Sequence, residues 1–272
     1  MKMLLLVLLS LSAFATETQL VSLGQSTGGS FYLDNNRNFL RNPATLGKYN
    51  QLSYDVDAKD FIYNANELVL AGGRLGTNES SVLAGYKFTD TLAASVYTGI
   101  TDGTFFDDMG FTFGFDMDGA EAYIGYDRIK KTDKEAMTGG LVLPMDMYTL
   151  FAEYSDVLDS KDYSLLVGLS YEFGKKGMVT PFADLSYNRV KGGKQGLILT
   201  AGLTADAYKD WVLMASVKHD FLFDNKSILS AGGDYSICKG LVLGASISAS
   251  PITTSSVKFG DLDTKLSLTY SL

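Results

Sequence analysis

From residue 66 to its end the chain repeats one pattern, in which stretches of roughly ten residues alternate apolar and polar side chains between turn residues. Leu241, Leu243, Ala245, Ile247 and Ala249 are interleaved with Val242, Gly244, Ser246, Ser248 and Ser250. Phe111, Phe113, Phe115 and Met117 are interleaved with Thr112, Gly114 and Asp116. Val167, Leu169, Tyr171 and Phe173 follow the same rule with Gly168, Ser170 and Glu172. A strand turns successive side chains to opposite faces, so each stretch is a ribbon with one apolar face and one polar face. No apolar run after the leader approaches the length a helix needs to cross a bilayer. With every backbone polar group to be satisfied in lipid, the remaining way for such ribbons to span a membrane is a closed barrel. A soluble sandwich gives the same local alternation. The number of strands, and what sits at their ends, decides between the two.

Turn residues divide 66–272 into about fourteen strands, and twelve to sixteen fit the same pattern. Their connections alternate in length: 118–119, 145, 174–177, 206–209 and 238–239 are short, while 101–108, 130–135, 156–161, 189–195 and 251–263 are long. Outer-membrane barrels have short periplasmic turns and longer outer loops, which places both ends of this barrel in the periplasm. Aromatic residues test the register independently. Phe88, Tyr148, Phe173, Trp211, Tyr235 and Tyr270 fall at one set of strand ends on the apolar face; Phe111, Tyr126, Tyr154, Tyr187 and Phe221 fall toward the other. Two girdles are what the two membrane interfaces require. The expected fold class is therefore all-β, a transmembrane antiparallel β-barrel.

Composition removes other classes. The formal net charge is -8, which argues against nucleic acid as a partner. A single Cys and a single His leave neither a disulfide framework nor a multi-His metal centre. No cofactor is called for. Cys238, in an expected periplasmic turn, is a bystander thiol, and the acidic 102–108 stretch is a solvated loop. His219 and Asp220 are neighbours, so they face opposite sides of a strand. Phe221, not Ser, stands two positions beyond His219. With no base beside a nucleophile along the chain, the expectation is a non-enzymatic protein with His219 at the barrel rim.

The first fifteen residues read as a signal peptide: Met1-Lys2-Met3, the apolar run Leu4–Leu9, and the A-x-A site Ala13-Phe14-Ala15. Residues 16–65 then form an N-terminal periplasmic or plug segment ahead of a barrel of 66–272. Within it, Gly28-Gly29-Ser30-Phe31-Tyr32 leads through Asp34-Asn35-Asn36 to Phe39-Leu40-Arg41-Asn42-Pro43-Ala44-Thr45-Leu46. This resembles the outer-membrane long-chain fatty-acid transporters and their type IX secretion relatives, which carry a Gly-rich start, an acidic turn and an Asn-Pro-Ala-x-Leu plug. The resemblance implies that Asn42, Pro43, Ala44 and Leu46 plug the barrel. The alternatives are a loop beneath the barrel, and, for Leu52–Val56, a strand paired with it. The final stretch Thr264–Leu272 is similar to the C-terminal insertion signal of bacterial outer-membrane proteins, which implies the outer-membrane assembly machinery as a partner. In size, acidity and small-residue strands the chain also resembles porin-like outer-membrane proteins of predatory bacteria. That resemblance implies a ring-shaped homo-oligomer enclosing outer-membrane lipid.

The polar faces supply an interior. Asp116, Glu121, Asp127, Glu153, Glu172, Asp184, Asp206, Asp220 and Asp234 point inward, with Arg74, Lys87, Lys218 and Lys265. The excess of acids favours cations if the lumen conducts, whereas mutual pairing would fill it. Tyr97, Tyr123, Phe151 and Phe182 also point inward and would narrow it. Outward, Ala201, Ala215, Ala231, Gly233, Ala245 and Ala249 form a stripe of small residues suited to close packing between barrels. Two functions follow: a porin-like outer-membrane conduit, with hydrophobic or lipid cargo among its candidates, or a non-conducting, lipid-organising homo-oligomer. The expected location is the bacterial cell outer membrane.

Overall fold

The structure is a computed structural model that describes residues 38–46, 51–55, 60–65, 68–73, 79–101, 104–129, 134–173, 178–190, 194–208, 211–222, 226–238, 241–253 and 256–271. The signal peptide, the Gly-rich start and Arg74 lie outside the described residues, as does the Lys265 side chain.

Every strand read from the sequence is present. They are β3 (Leu68–Gly73), β4 (Glu79–Lys87), β5 (Leu92–Thr101), β6 (Thr104–Met117), β7 (Ala120–Ile129), β8 (Lys134–Met145) and β9 (Tyr148–Val157). Beyond them run β10 (Tyr163–Tyr171), β11 (Val179–Val190), β12 (Lys194–Tyr208), β13 (Trp211–Asp220), β14 (Ser227–Cys238), β15 (Leu241–Thr253) and β16 (Ser256–Ser271). Two more precede them, β1 (Gln51–Asp55) and β2 (Asp60–Ala65). All pairings are antiparallel between sequence neighbours, and β1 pairs with β16 to close the barrel.

The expected boundary at residue 66 therefore moves to 51. Residues 51–65 belong to the wall: Leu52 faces Tyr270 on one side and Tyr63 on the other. The alternative that Leu52–Val56 is a strand paired with the barrel is the one the structure shows, with β1 at Gln51–Asp55 and a second strand, β2, beside it. The count rises to sixteen, the upper end of the expected range, and adding a pair leaves both chain ends of the wall on the same side.

Two expected long loops are also corrected. The stretches 101–108 and 251–263 are mostly strand, since β5 and β6 run to Thr101 and from Thr104, and β15 and β16 run to Thr253 and from Ser256. These hairpins extend the wall at the end opposite the tight turns. The opposite end keeps tight turns. Asp118 and Gly119 both take positive φ, 52° and 100°, which is the two-residue hairpin geometry that suits strand twist.

Sidedness follows the alternation. Phe111, Phe113, Phe115, Leu165, Val167, Leu169, Leu213, Leu243 and Ile247 are exposed on the outside, the surface that lipid covers. The expected girdles exist as ring contacts: Trp211 on Tyr235 and Tyr148 on Tyr171, each at 4.7 Å, at one end. Toward the other, Phe111 stacks on Tyr126 at 5.5 Å, and Tyr163 joins Tyr154 and Tyr187 at 6.2 and 5.9 Å.

The interior core is small and one-sided. Residues 38–46, comprising helix α1 (Asn38–Arg41) and a 3-10 turn at Pro43–Thr45, lie against the inner face of β2–β7. Phe39 and Leu46, both 0% exposed, pack with Ile62, Val69, Ala71 and Ala93. This apolar knot is what holds the segment inside.

Candidate lumen site

The site is built where the 38–46 segment meets the wall. Asn42 organises it. Its Oδ1 accepts from the Ala44 backbone N–H at 3.0 Å, capping the 3-10 turn that Pro43 starts. Its Nδ2 donates to Glu121 Oε2 on β7 at 2.9 Å. One residue earlier, Arg41 Nε lies 3.0 Å from Glu153 Oε2 on β9, and the Tyr123 hydroxyl donates to the same carboxylate. The segment is thus tied to two wall strands by charge-assisted bonds, the stronger class of hydrogen bond. Gly114 on β6 makes the room: a Cβ there would collide with the Ala44 amide and the Asn42 side chain. Pro43, Ala44 and Leu46 are all buried.

The inward rings lie on the inner side of the wall as expected, with Tyr123, Phe151 and Phe182 buried there. Each lies flat over a glycine directly opposite on the next strand. Tyr97 covers Gly110, Tyr123 covers Gly140, Phe151 covers Gly168 and Phe182 covers Gly202. In every case an added Cβ would run into the ring. The rings are packed against the wall. The pairing shields exposed glycine backbone with an aromatic face and pins the register of both strands.

Of the expected inward acids, Asp184 and Asp234 are buried in the inner wall, and Asp116, Glu121, Asp127, Glu153 and Asp220 are half-buried there. Glu172 and Asp206 are exposed at the end of the barrel that carries the tight turns. Lys87 and Lys218 are half-buried on the inner face. Lys265 pairs in register with the inward Ser246. Glu121 and Glu153 are the two that meet the segment, through Asn42 and Arg41, among the described contacts of these residues. The structure does not draw the remaining acids into one cluster. They are spread around the wall among inward hydroxyls such as Thr200, Ser216, Ser230 and Ser246.

Arg41, Phe39 and Gly114 are the functional residues that sequence reasoning left out. The motif's Asn-Pro-Ala drew attention from the cation just before it, and no spacing rule links Gly114 to a segment seventy residues away. His219 also differs from expectation. Its Nδ1 stands 2.8 Å from Ser227 Oγ, across the β13–β14 pair, so the sheet supplies a hydroxyl that spacing along the strand did not. Phe221 packs edge-on against the imidazole at 4.4 Å. The pair clasps two strand ends at the rim away from the tight turns.

The outward small residues are interleaved with larger ones. Ala215 faces Ala231 and Gly233 faces Ala245, but Leu213, Val217, Leu229, Leu243 and Ile247 stand exposed between them.

No protein-family model and no curated protein matches this chain. Among solved structures, a porin mutant of Rh. blastica is 13% identical over 81% of this chain and 87% of that one, with a TM-score of 0.53. The CymD monoaromatic hydrocarbon channel is 12% identical over 94% and 97%, with a TM-score of 0.54. A bacterial polysaccharide outer membrane secretin is 11% identical over 78% and 89%, with a TM-score of 0.52. At such identities the likeness is one of fold, and the fold is that of a porin-like outer-membrane β-barrel.

Proposed function

We propose that this protein is a passive outer-membrane channel for small polar solutes, with a preference for cations, whose bore is restricted by residues 38–46. The observation that carries this reading is the tethering of that segment to the inner wall through Arg41–Glu153 and Asn42–Glu121. A segment so fixed leaves β10–β15, across the barrel, to line the path. That wall offers hydroxyls with Asp184 and Asp234, chemistry that replaces the hydration of a passing cation. Ile62, Val69, Ala71 and Ala93, an apolar wall that hydrophobic cargo could use, are instead packed under Phe39 and Leu46. Hydrophobic or lipid cargo therefore has support only from the name of the hydrocarbon channel that shares the fold. A non-conducting, lipid-organising homo-oligomer is the other reading. The Ala215–Ala231 and Gly233–Ala245 pairs favour it, and the large side chains between them weaken it.

Planar-bilayer recording of the purified protein tests the proposal. The expected result is discrete current steps and a reversal potential that shows cation preference in a salt gradient. Glu172→Gln with Asp206→Asn, two exposed acids at one mouth, should lower that preference without closing the channel. Anion preference, or bilayers that stay silent, would refute it.

A further inference from the structure

Beside the tethered segment lies a cavity of about 290 Å³, at the small end of ligand sites. Its wall is mixed. Leu40 and Leu83 give apolar surface, and Tyr97 and Tyr123 give ring surface. Thr112 and Thr138 offer hydroxyls, and Arg41, Glu153 and Asp127 bring charge. Two of those charges cancel, because Arg41 is committed to Glu153. Asp127 is different. It takes a hydrogen bond from the Tyr97 hydroxyl, and among the described residues no Lys, Arg or His is ion-paired with it.

The position of Asp127 is built. Gly110 on β6 faces Tyr97 of β5 on one side and Asp127 of β7 on the other, and both side chains converge over it. A Cβ on Gly110 would collide with the ring and with the carboxylate. Gly125 likewise keeps space beside Thr112, whose Oγ1 would lie 2.8 Å from an added Cβ. The glycines thus let the Tyr97 ring and the Asp127 carboxylate pack close to the wall, leaving at the cavity a half-buried carboxylate with no cation paired to it among the described residues.

We infer that this cavity binds a small primary ammonium compound with an apolar body. The ammonium would donate to Asp127 and to a threonine hydroxyl, with its charge over the ring faces, which attract cations. The body would lie against Leu40 and Leu83. The chain itself supplies the precedent, since Arg41 already places a cation against Glu153 and Tyr123 in the same space. A hard metal ion fits poorly, because it asks for six or more oxygens and gains nothing from leucine. An anion would meet the uncompensated acid. The inference deepens the channel reading by naming a class of solute that the bore would retain.

Isothermal titration of the full-length protein in detergent, with benzylammonium, benzyl alcohol and benzoate as probes, tests it. Saturable binding of benzylammonium is expected, with no binding of the other two. Asp127→Asn should weaken it at least tenfold, and Glu172→Gln, at the mouth, should leave it unchanged. If Asp127→Asn fails to fold, judged by heat-modifiable migration, Gly110→Ala displaces the same groups and should abolish binding. Equal binding of benzyl alcohol, or wild-type affinity in Asp127→Asn, would overturn the site. No binding with conductance intact overturns this site alone. Silent bilayers with binding intact overturn the channel reading alone.

Discussion

At the scale of single residues, the glycines of the inner wall carry more of the structure than their size suggests. Gly140 is the cleanest case, because the three atoms nearest an added Cβ all belong to the Tyr123 ring and hydroxyl. That ring also serves Glu153, and through it Arg41. Gly140→Ala should therefore destabilise the barrel by about 1–3 kcal/mol, the usual cost of overfilling a packed contact. Because the damage passes through Tyr123, Tyr123→Leu should relieve part of it. Urea unfolding of the two single variants and the double variant measures the coupling. Additive losses would mean that the ring does not rest on the glycine. The sequence showed that Tyr97, Tyr123, Phe151 and Phe182 face inward, because face follows from parity alone. It did not show that they lie flat, since that depends on which residue stands opposite, and register across strands is set by the closed sheet. For the same reason Asp127 was legible as an inward acid, while its convergence with Tyr97 over Gly110 was not.

At the scale of elements, the strands from residue 68 onward were legible because they alternate over nine or more residues in nearly every case. β1 was legible only as an alternative, since Leu52–Val56 alternates like a strand, and β2 was not read, because it sits in a stretch that otherwise reads as plug. Their role is larger than their length, because they join β16 to β3. Without them the sheet has two raw edges, which lipid cannot satisfy. Ser53 lies mid-strand in β1, facing Thr269 on one side and Ile62 on the other. A proline there removes a ladder donor in a strand paired on both sides. Ser53→Pro should abolish the compact, heat-modifiable form on gels, whereas Ser53→Ala should keep it. If the proline variant folds as well as the alanine variant, β1 does not close the barrel. The 38–46 segment was half legible. Asn42-Pro43-Ala44 announced a tight turn, and the structure shows Asn42 capping it. The partners Glu121 and Glu153 were each read only as lumen acids, because nothing along the chain says which acid lies beside which part of the segment.

At the scale of the whole molecule, two halves divide the work. β2–β7 bind the segment through one apolar knot and the Asn42–Glu121 bond, and β9, beyond β8, adds the Arg41–Glu153 pair. β10–β15 present hydroxyls and two buried acids. In the channel reading proposed above, this asymmetry makes the bore a property of residues 38–46. Single-channel conductance tests that most directly. The wild type is compared with a variant whose residues 38–46 are replaced by a Gly/Ser linker of equal length, so that β1 stays attached. The linker variant should still insert and should conduct in clearly larger steps, with weaker discrimination by solute size. Steps identical to the wild type would mean that the segment does not restrict the bore, and would contradict the account.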